Sequence, residues 1–266
     1  MSKIITNVMP KGGVGKTTVL LNIGYELSLL KKKVLFIDTD GQLNLTSNIQ
    51  YKDDQVIALK NIFDLFTEED PKLDYYIYET SYKNIDIIQG SSDLYFLRNE
   101  RNFMAEDKDF IPKFFDMLHK SDYDYVLIDT NPTISELNLA LIQNTDLNLI
   151  IIDGDINAVD TLQTLLGQYI KSYPIWAKGE ITQESVIYSF ATRNKILFNN
   201  IAKQESVIEY TRNTIIDMFH ESMILDTVIH RSVVAKYAKM DREPISQYDK
   251  KHTMSKEFRK LAKEVI

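Results

Sequence analysis

Apolar residues in this chain fall into short runs separated by stretches of helical spacing. Runs at residues 4–9, 34–37, 85–88, 125–128, 147–152, 186–190 and 223–229 are rich in Ile, Val and Leu. Short continuous apolar runs are the mark of strands buried on both faces. Between them, apolar positions recur every three or four residues over 19–30, 94–104, 110–119, 160–171, 201–219, 233–239 and 255–265, which predicts helices. Alternating strand and helix with short connections predicts an α/β fold: a mainly parallel, twisted sheet with helices on both faces. The stretch 51–84, rich in acidic residues and tyrosine, is expected to lay loops and short helices over one edge. No repeat, low-complexity tract or linker interrupts the pattern, so residues 1–266 are expected to form a single domain.

Composition narrows the chemistry. The chain has no cysteine, which excludes disulfides, thiol catalysis and iron–sulfur clusters. No apolar run approaches the ~18 residues of a spanning helix, and residue 4 already enters a strand, so a cytoplasmic location is expected. The net charge is −7, but residues 187–266 hold 14 Lys and Arg against 10 Asp and Glu. That mildly basic third reads either as a local patch for nucleic acid or as an ordinary mixed surface.

The chemistry begins at Pro10-Lys11-Gly12-Gly13-Val14-Gly15-Lys16-Thr17-Thr18, between the first strand and the first helix. Glycines let successive N–H groups converge on one phosphate, and the helix start adds partial positive charge. Lys16 is placed to reach the β- and γ-phosphates and Thr17 to hold Mg²⁺, with Gly12, Gly13, Val14, Gly15 and Thr18 completing the cradle. The plain G-x-x-x-x-G-K-[ST] pattern is one residue short, because Pro10 stands where its first glycine belongs. Two further stretches end apolar strands in aspartate: Asp38-Thr39-Asp40-Gly41-Gln42 after 34–37, and Asp129-Thr130-Asn131-Pro132 after 125–128. Parallel sheets bind ligands at the edge where their strands end. Asp129 there forms a Walker B element that holds Mg²⁺ through water.

The run K-G-G-V-G-K-T-T resembles the deviant loop of the ParA/MinD branch of P-loop ATPases. The resemblance covers nearly the whole chain: Asp38–Gln42 looks like the family's D-x-D-P-Q, with Gly41 for proline, and Asp129–Pro132 like its D-x-P-P, with Asn131 for proline. Residues 227–233 look like I-P-R-[NS]-V, with His230 for proline, and Glu243-Pro244-Ile245 with Tyr248-Asp249 like x-P-I-x-x-Y-D. The resemblance implies ATP and Mg²⁺ as cofactors. It also implies that Asp40 positions or deprotonates the attacking water, and that Asp38 supports the Mg²⁺ shell. By the same likeness Lys11 reaches across a two-fold interface to the partner's nucleotide, making ATP the glue of a homodimer. Asn194 and Arg231 would lie near the adenine.

Within the branch, Gln42-x-Asn44-Leu45-Thr46 and the E-P-I…Y-D segment look more like ParA than MinD. A ParA-type protein binds DNA nonspecifically as its ATP dimer, associates with the nucleoid, and is released when a centromere-bound, ParB-like adaptor stimulates hydrolysis. Lys195, Lys203, Arg212, Arg231, Lys236, Lys239, Lys250 and Lys251 are the candidate DNA contacts, and Val234 stands where ParA proteins often carry arginine. No N-terminal helix-turn-helix domain is expected. A MinD-like membrane cycle would need the last helix as an amphipathic anchor, whereas its small apolar face reads as a core face, so no membrane partner is expected. A nucleotide-gated binding module with very low turnover is the other alternative, because Gly41 and Asn131 both fall in switch segments.

Overall fold

Among the described residues eight strands form one sheet: β1 (Lys3–Val8), β2 (Val34–Asp38), β3 (Ile77–Glu79), β4 (Ile85–Ile88), β5 (Tyr125–Asp129), β6 (Leu147–Ile152), β7 (Asn194–Ile201) and β8 (Ile224–His230). The computed structural model describes residues 1–52, 60–99, 110–155, 157–176, 182–202, 207–218 and 221–266. The strand order is β3-β4-β2-β5-β1-β6-β7-β8. Every neighbouring pair is parallel except β3 with β4. β1, in the interior of the sheet, has every residue but Lys3 buried, which is why its run carries no polar alternation.

The helices are α1 (Lys16–Leu29), α2 (Asn44–Asn48), α3 (Ile62–Thr67), α4 (Leu94–Asn99), α5 (Phe110–His119), α6 (Glu136–Asn144), α7 (Ala158–Trp176), α8 (Gln183–Arg193), α9 (Val207–Met218), α10 (Val234–Met240), α11 (Ile245–Tyr248) and α12 (Thr253–Glu264). The step from β1 to β2 runs one way along the sheet, and the steps β5→β6→β7→β8 run the other. Right-handed crossovers therefore put α1 on one face and α6 to α9 on the opposite face. The contacts agree: α1 packs against α12, while α7 packs against α6, α8 and α9. The predicted sheet with helices on both faces is what forms.

Several elements differ from expectation, among them the strand β3 within the stretch 51–84, and one difference matters for function. The run 186–190 is not a strand but part of α8. Val186 and Phe190, four apart, are buried, while Ile187 and Tyr188 between them are 41% and 72% exposed, a helical period. Thr182 caps that helix, its hydroxyl accepting from the Ser185 N–H at 3.1 Å. The strand comes next, at Asn194–Ile201, where two consecutive asparagines, Asn199 and Asn200, break the apolar run that would have announced it. The expected helix 201–219 is accordingly α9, described over Val207–Met218; Lys203 and the end of the expected helix 94–104 lie outside the described residues.

Candidate nucleotide-binding site

The loop between β1 and α1 stands at the edge where the parallel strands end. Gly13 and Gly15 have φ of 79° and 91°, left-handed values that glycine adopts without strain. Gly15 is the N-cap of α1, so the loop delivers its N–H groups at a helix start. A cavity of about 380 Å³ is lined by Gly12, Gly13, Gly15, Lys16, Thr17 and Thr18, with Asp40, Gln42, Asn44 and Thr130 opposite them. Of the expected loop residues, Val14 is set apart. It is fully buried, and its carbonyl accepts from Asn199 Nδ2 at 2.6 Å.

Lys16 is folded back over the loop, donating to the carbonyls of Met9 (3.0 Å) and Lys11 (3.2 Å). Burial lowers its pKa, against the opposing pull of the Asp129 and Asp40 charges. A phosphate oxygen would offer this cation a charged partner in place of two carbonyls. Thr17 Oγ1 donates to Asp129 Oδ2 at 2.7 Å, which joins the P-loop helix to the end of β5. Hydroxyl and carboxylate side by side form the oxygen donor set that Mg²⁺ takes. Asp129 is fully buried, and burial first, then the negative charge of Asp38, push its pKa up. A cation at that point would relieve both effects.

Asp40 lines the cavity and is held by its own turn, its Oδ1 accepting from the Gln42 N–H at 3.0 Å. Asp38 is placed differently from expectation. Its Oδ1 accepts from the Asp40 N–H (3.0 Å), and its Oδ2 from the N–H (2.9 Å) and hydroxyl (2.7 Å) of Thr46. Thr46 in turn accepts from the Gly90 N–H at 2.9 Å. With both oxygens engaged, Asp38 braces the loop that carries Asp40, while its charge is felt at Asp129, its partner on the neighbouring strand.

Asn194 is a correction. It begins β7, paired in register with Asn148 at the opening edge of the sheet, and its Nδ2 donates to Phe190 O at 2.7 Å. Fully buried there, it is at the wrong end of its strand to meet a base. The asparagine that does reach the P-loop is Asn199, five residues on. Arg231 stands at the expected edge, just past β8, with its Nε 3.3 Å from Asn200 Oδ1, but it does not line the cavity.

Lys11 has partners that sequence reading missed. Its Nζ is bonded to Asp153 (2.9 Å) and Asp155 (2.7 Å), just past the end of β6. Partial burial pulls its pKa down, but the bonds to Asp155 and Asp153 outweigh that and hold it above the ordinary lysine value. The signal was available: Asp153-Gly154-Asp155 repeats the strand-then-acids pattern of Asp38-Thr39-Asp40. Asn7 was missed as well. It is the next-to-last residue of β1, and both ends of its carboxamide bond to the Asp129–Thr130 segment.

The three departures from the family's prolines each have a local cause. A Cβ on Gly41 would lie 2.7 Å from the Tyr95 ring, so glycine is what lets that ring cover the Asp40 loop. Asn131 Oδ1 accepts from the Thr133 N–H (3.1 Å) and Asn138 Nδ2 (3.0 Å), replacing proline's rigidity with hydrogen bonds. His230 supplies an N–H that proline lacks, and Glu257 Oε2 accepts it at 3.0 Å.

A lysine-rich glycine loop opening a helix, facing two acid-tipped strands of a parallel sheet, defines a P-loop protein of the ParA/MinD kind. Residues 2–174 match the AAA_31 family, an AAA domain, and the chain belongs to that family. Over its full length it is 27% identical to the sporulation initiation inhibitor protein Soj of Bacillus subtilis, covering 98% of that protein. It is equally similar, at 27% and 98% coverage, to the chromosome-partitioning ATPase Soj of Treponema pallidum. Its fold is that of the septum site-determining protein MinD from Pyrococcus horikoshii, solved with Mg-ADP (TM-score 0.69, 23% identity, covering 100% of this chain and 96% of that one).

Proposed function

We propose that the chain is a ParA-type partition ATPase that uses ATP and Mg²⁺. The observation that carries this reading is the meeting, in one cavity, of the P-loop glycines, Lys16, Thr17 and Asp40, with Asp129 bonded to Thr17 behind them. Thr17 and Asp129 would hold Mg²⁺, which neutralises charge on the phosphates. Lys16 moves from its carbonyl partners to the β- and γ-phosphates. Asp40 orients a water against the γ-phosphate and takes its proton, with the loop kept in shape by Asp38.

In this reading Lys11 leaves Asp153 and Asp155 to bind the nucleotide of a second copy, so triphosphate joins two subunits. The dimer binds DNA through phosphate contacts and is released when a centromere-bound, ParB-like adaptor stimulates hydrolysis. Lys236 and Lys239 on α10 are both exposed and suit phosphate contact. Val234, at the position where ParA proteins often carry arginine, is buried. The protein would then divide its time between cytoplasm and nucleoid.

A membrane cycle has less support. The apolar side of α12 is already used, since Phe258, Leu261 and Ala262 are fully buried. Among the described residues no helix is long and apolar enough to cross a membrane. The test is sedimentation with ATP, with ADP and with a nonhydrolysable analogue, each with and without random-sequence duplex. The expected result is a dimer with triphosphate alone and co-sedimentation with duplex in the same lanes. A monomer under every nucleotide overturns the sandwich, and a dimer indifferent to duplex overturns the DNA arm.

A further inference from the structure

We propose that Asn7 is a positioning residue for the metal-binding carboxylate, a role that rests on the ATP and Mg²⁺ reading above. Asn7 lies near the end of β1, two residues before Met9 opens the loop. Residues Thr6 and Ile128 are partners in the parallel ladder, so Asn7 and Asp129 fall on the next rung and share a face of the sheet. Both are fully buried.

An amide in such a place destabilises the fold unless its hydrogen bonds are made. Here they are made, and all to one segment. Nδ2 donates to Asp129 Oδ1, and Oδ1 accepts from the Thr130 N–H at 2.9 Å. The Asn7 carbonyl also accepts from Thr130 Oγ1 at 2.7 Å. Because one end of the carboxamide donates and the other accepts, its orientation is fixed.

The division of the Asp129 oxygens is what gives this arrangement a purpose. Oδ1 is held by the sheet through Asn7, and Oδ2 is turned to Thr17 at the P-loop. Asn7 therefore prevents the carboxylate from rotating and leaves one oxygen presented beside the Thr17 hydroxyl. It also ties Thr130, the first residue of the segment that lines the cavity opposite the glycines, to the strand that feeds the P-loop. Apart from Thr6, the neighbouring residues Ile4, Ile5, Val8 and Met9 are all buried and apolar, so an aliphatic side chain would suit the strand as well. What it would not supply is the grip on Asp129.

The test is Asn7→Val, with affinity for a fluorescent ATP analogue measured in EDTA and over a Mg²⁺ titration. The expected result is unchanged affinity in EDTA and a Mg²⁺ midpoint raised by roughly 10- to 100-fold, the usual effect of losing a ligand's supporting hydrogen bond. In an Asp129→Ala background the same substitution is expected to add nothing to the Mg²⁺ dependence. A wild-type Mg²⁺ midpoint in Asn7→Val, or penalties that simply add in the double variant, overturns the proposal. If Asn7→Val does not fold, Asn7→Thr is read by the same two criteria. Should the unaltered protein bind the analogue with no Mg²⁺ dependence at all, the nucleotide reading fails rather than the role of Asn7.

Discussion

The ammonium of Lys11 lies 2.9 Å from Oδ1 of Asp153, 142 positions away in sequence. Asp155 closes the other side at 2.7 Å. The lysine that the proposed dimer needs is thus held by its own chain. Triphosphate on a second copy has to compete with these two carboxylates for it. Replacing both, as Asp153→Asn with Asp155→Asn, is expected to tighten the ATP-dependent dimer. The pairs are part-exposed, so the gain is modest, roughly two- to fivefold. Sedimentation velocity across a protein dilution series measures it, and an unchanged or weaker dimer contradicts the competition.

Lys11→Ala removes the same cation from the other side of that balance. ATP binding by the monomer is expected to survive, because Lys16 and the glycine amides remain, while ATP-dependent dimerisation is lost. Equilibrium binding and sedimentation on one sample separate these two quantities. Lys16→Ala is expected to remove nucleotide binding itself, and retention of full ATP affinity would contradict the P-loop assignment.

Asp40→Ala is expected to leave ATP binding intact and trap the triphosphate form. Loss of a positioned base lowers turnover by about 10²–10⁴-fold. Single-turnover hydrolysis checks this, and normal turnover would move the catalytic role to another group. Asp38→Asn behaves differently, because Asp38 braces rather than reacts. The asparagine keeps one acceptor for Thr46, so the expected loss is in loop order, read as faster amide exchange at Asp40 and Thr46.

Much of this site could be read from the sequence because its parts are local. The glycine loop, Asp38-x-Asp40 and Asp129 each follow a contiguous apolar strand, so the residue type and the sheet edge come together in one stretch. Asn7, Asn199, Asp153 and Asp155 act through partners more than a hundred positions away, and a local pattern, even where one marks the residue, does not name the partner. β7 was hidden for a related reason. Its sequence, Asn194–Ile201, is broken near its end by Asn199 and Asn200, the first of which serves the P-loop, and the apolar run at 186–190 belonged to a helix that contacts the strand. Misplacing that strand carried Asn194 to the wrong edge. A buried asparagine beside Thr6 in a mostly apolar strand, as at Asn7, was another visible sign of a distant partner.

Asn199 and Gly15 test how the loop is held. A Cβ on Gly15 would stand 2.5 Å from Asn199 Nδ2, and the backbone there has φ of 91°. Gly15→Ala therefore combines a left-handed backbone, costing about 1–2 kcal/mol, with displacement of the asparagine. Asn199→Ala leaves the buried Val14 carbonyl without its donor, a loss of about 1–3 kcal/mol. Denaturant unfolding measures both. Because the two changes disturb one contact, their sum in the double variant is expected to fall short of additivity by more than about 0.5 kcal/mol.

His230 poses the question of why this chain abandons the family's proline. Its N–H donates to Glu257 Oε2 at 3.0 Å, and its Nδ1 lies 2.8 Å from Glu257 Oε1, so β8 is bolted to α12 at two points. His230→Ala removes the ring contact and keeps the N–H, whereas His230→Pro removes both. The difference between the two variants isolates the backbone bond, which as a bond to a carboxylate is worth about 1.5–3 kcal/mol. Proline is therefore expected to be the more destabilising by that margin in thermal or denaturant unfolding, although it is the residue the family prefers. With Glu257→Ala the acceptor is gone and the two variants are expected to converge. If proline were instead the more stable of the two in the presence of Glu257, the bolt would contribute nothing, and rigidity of the β8 exit would be the property that matters.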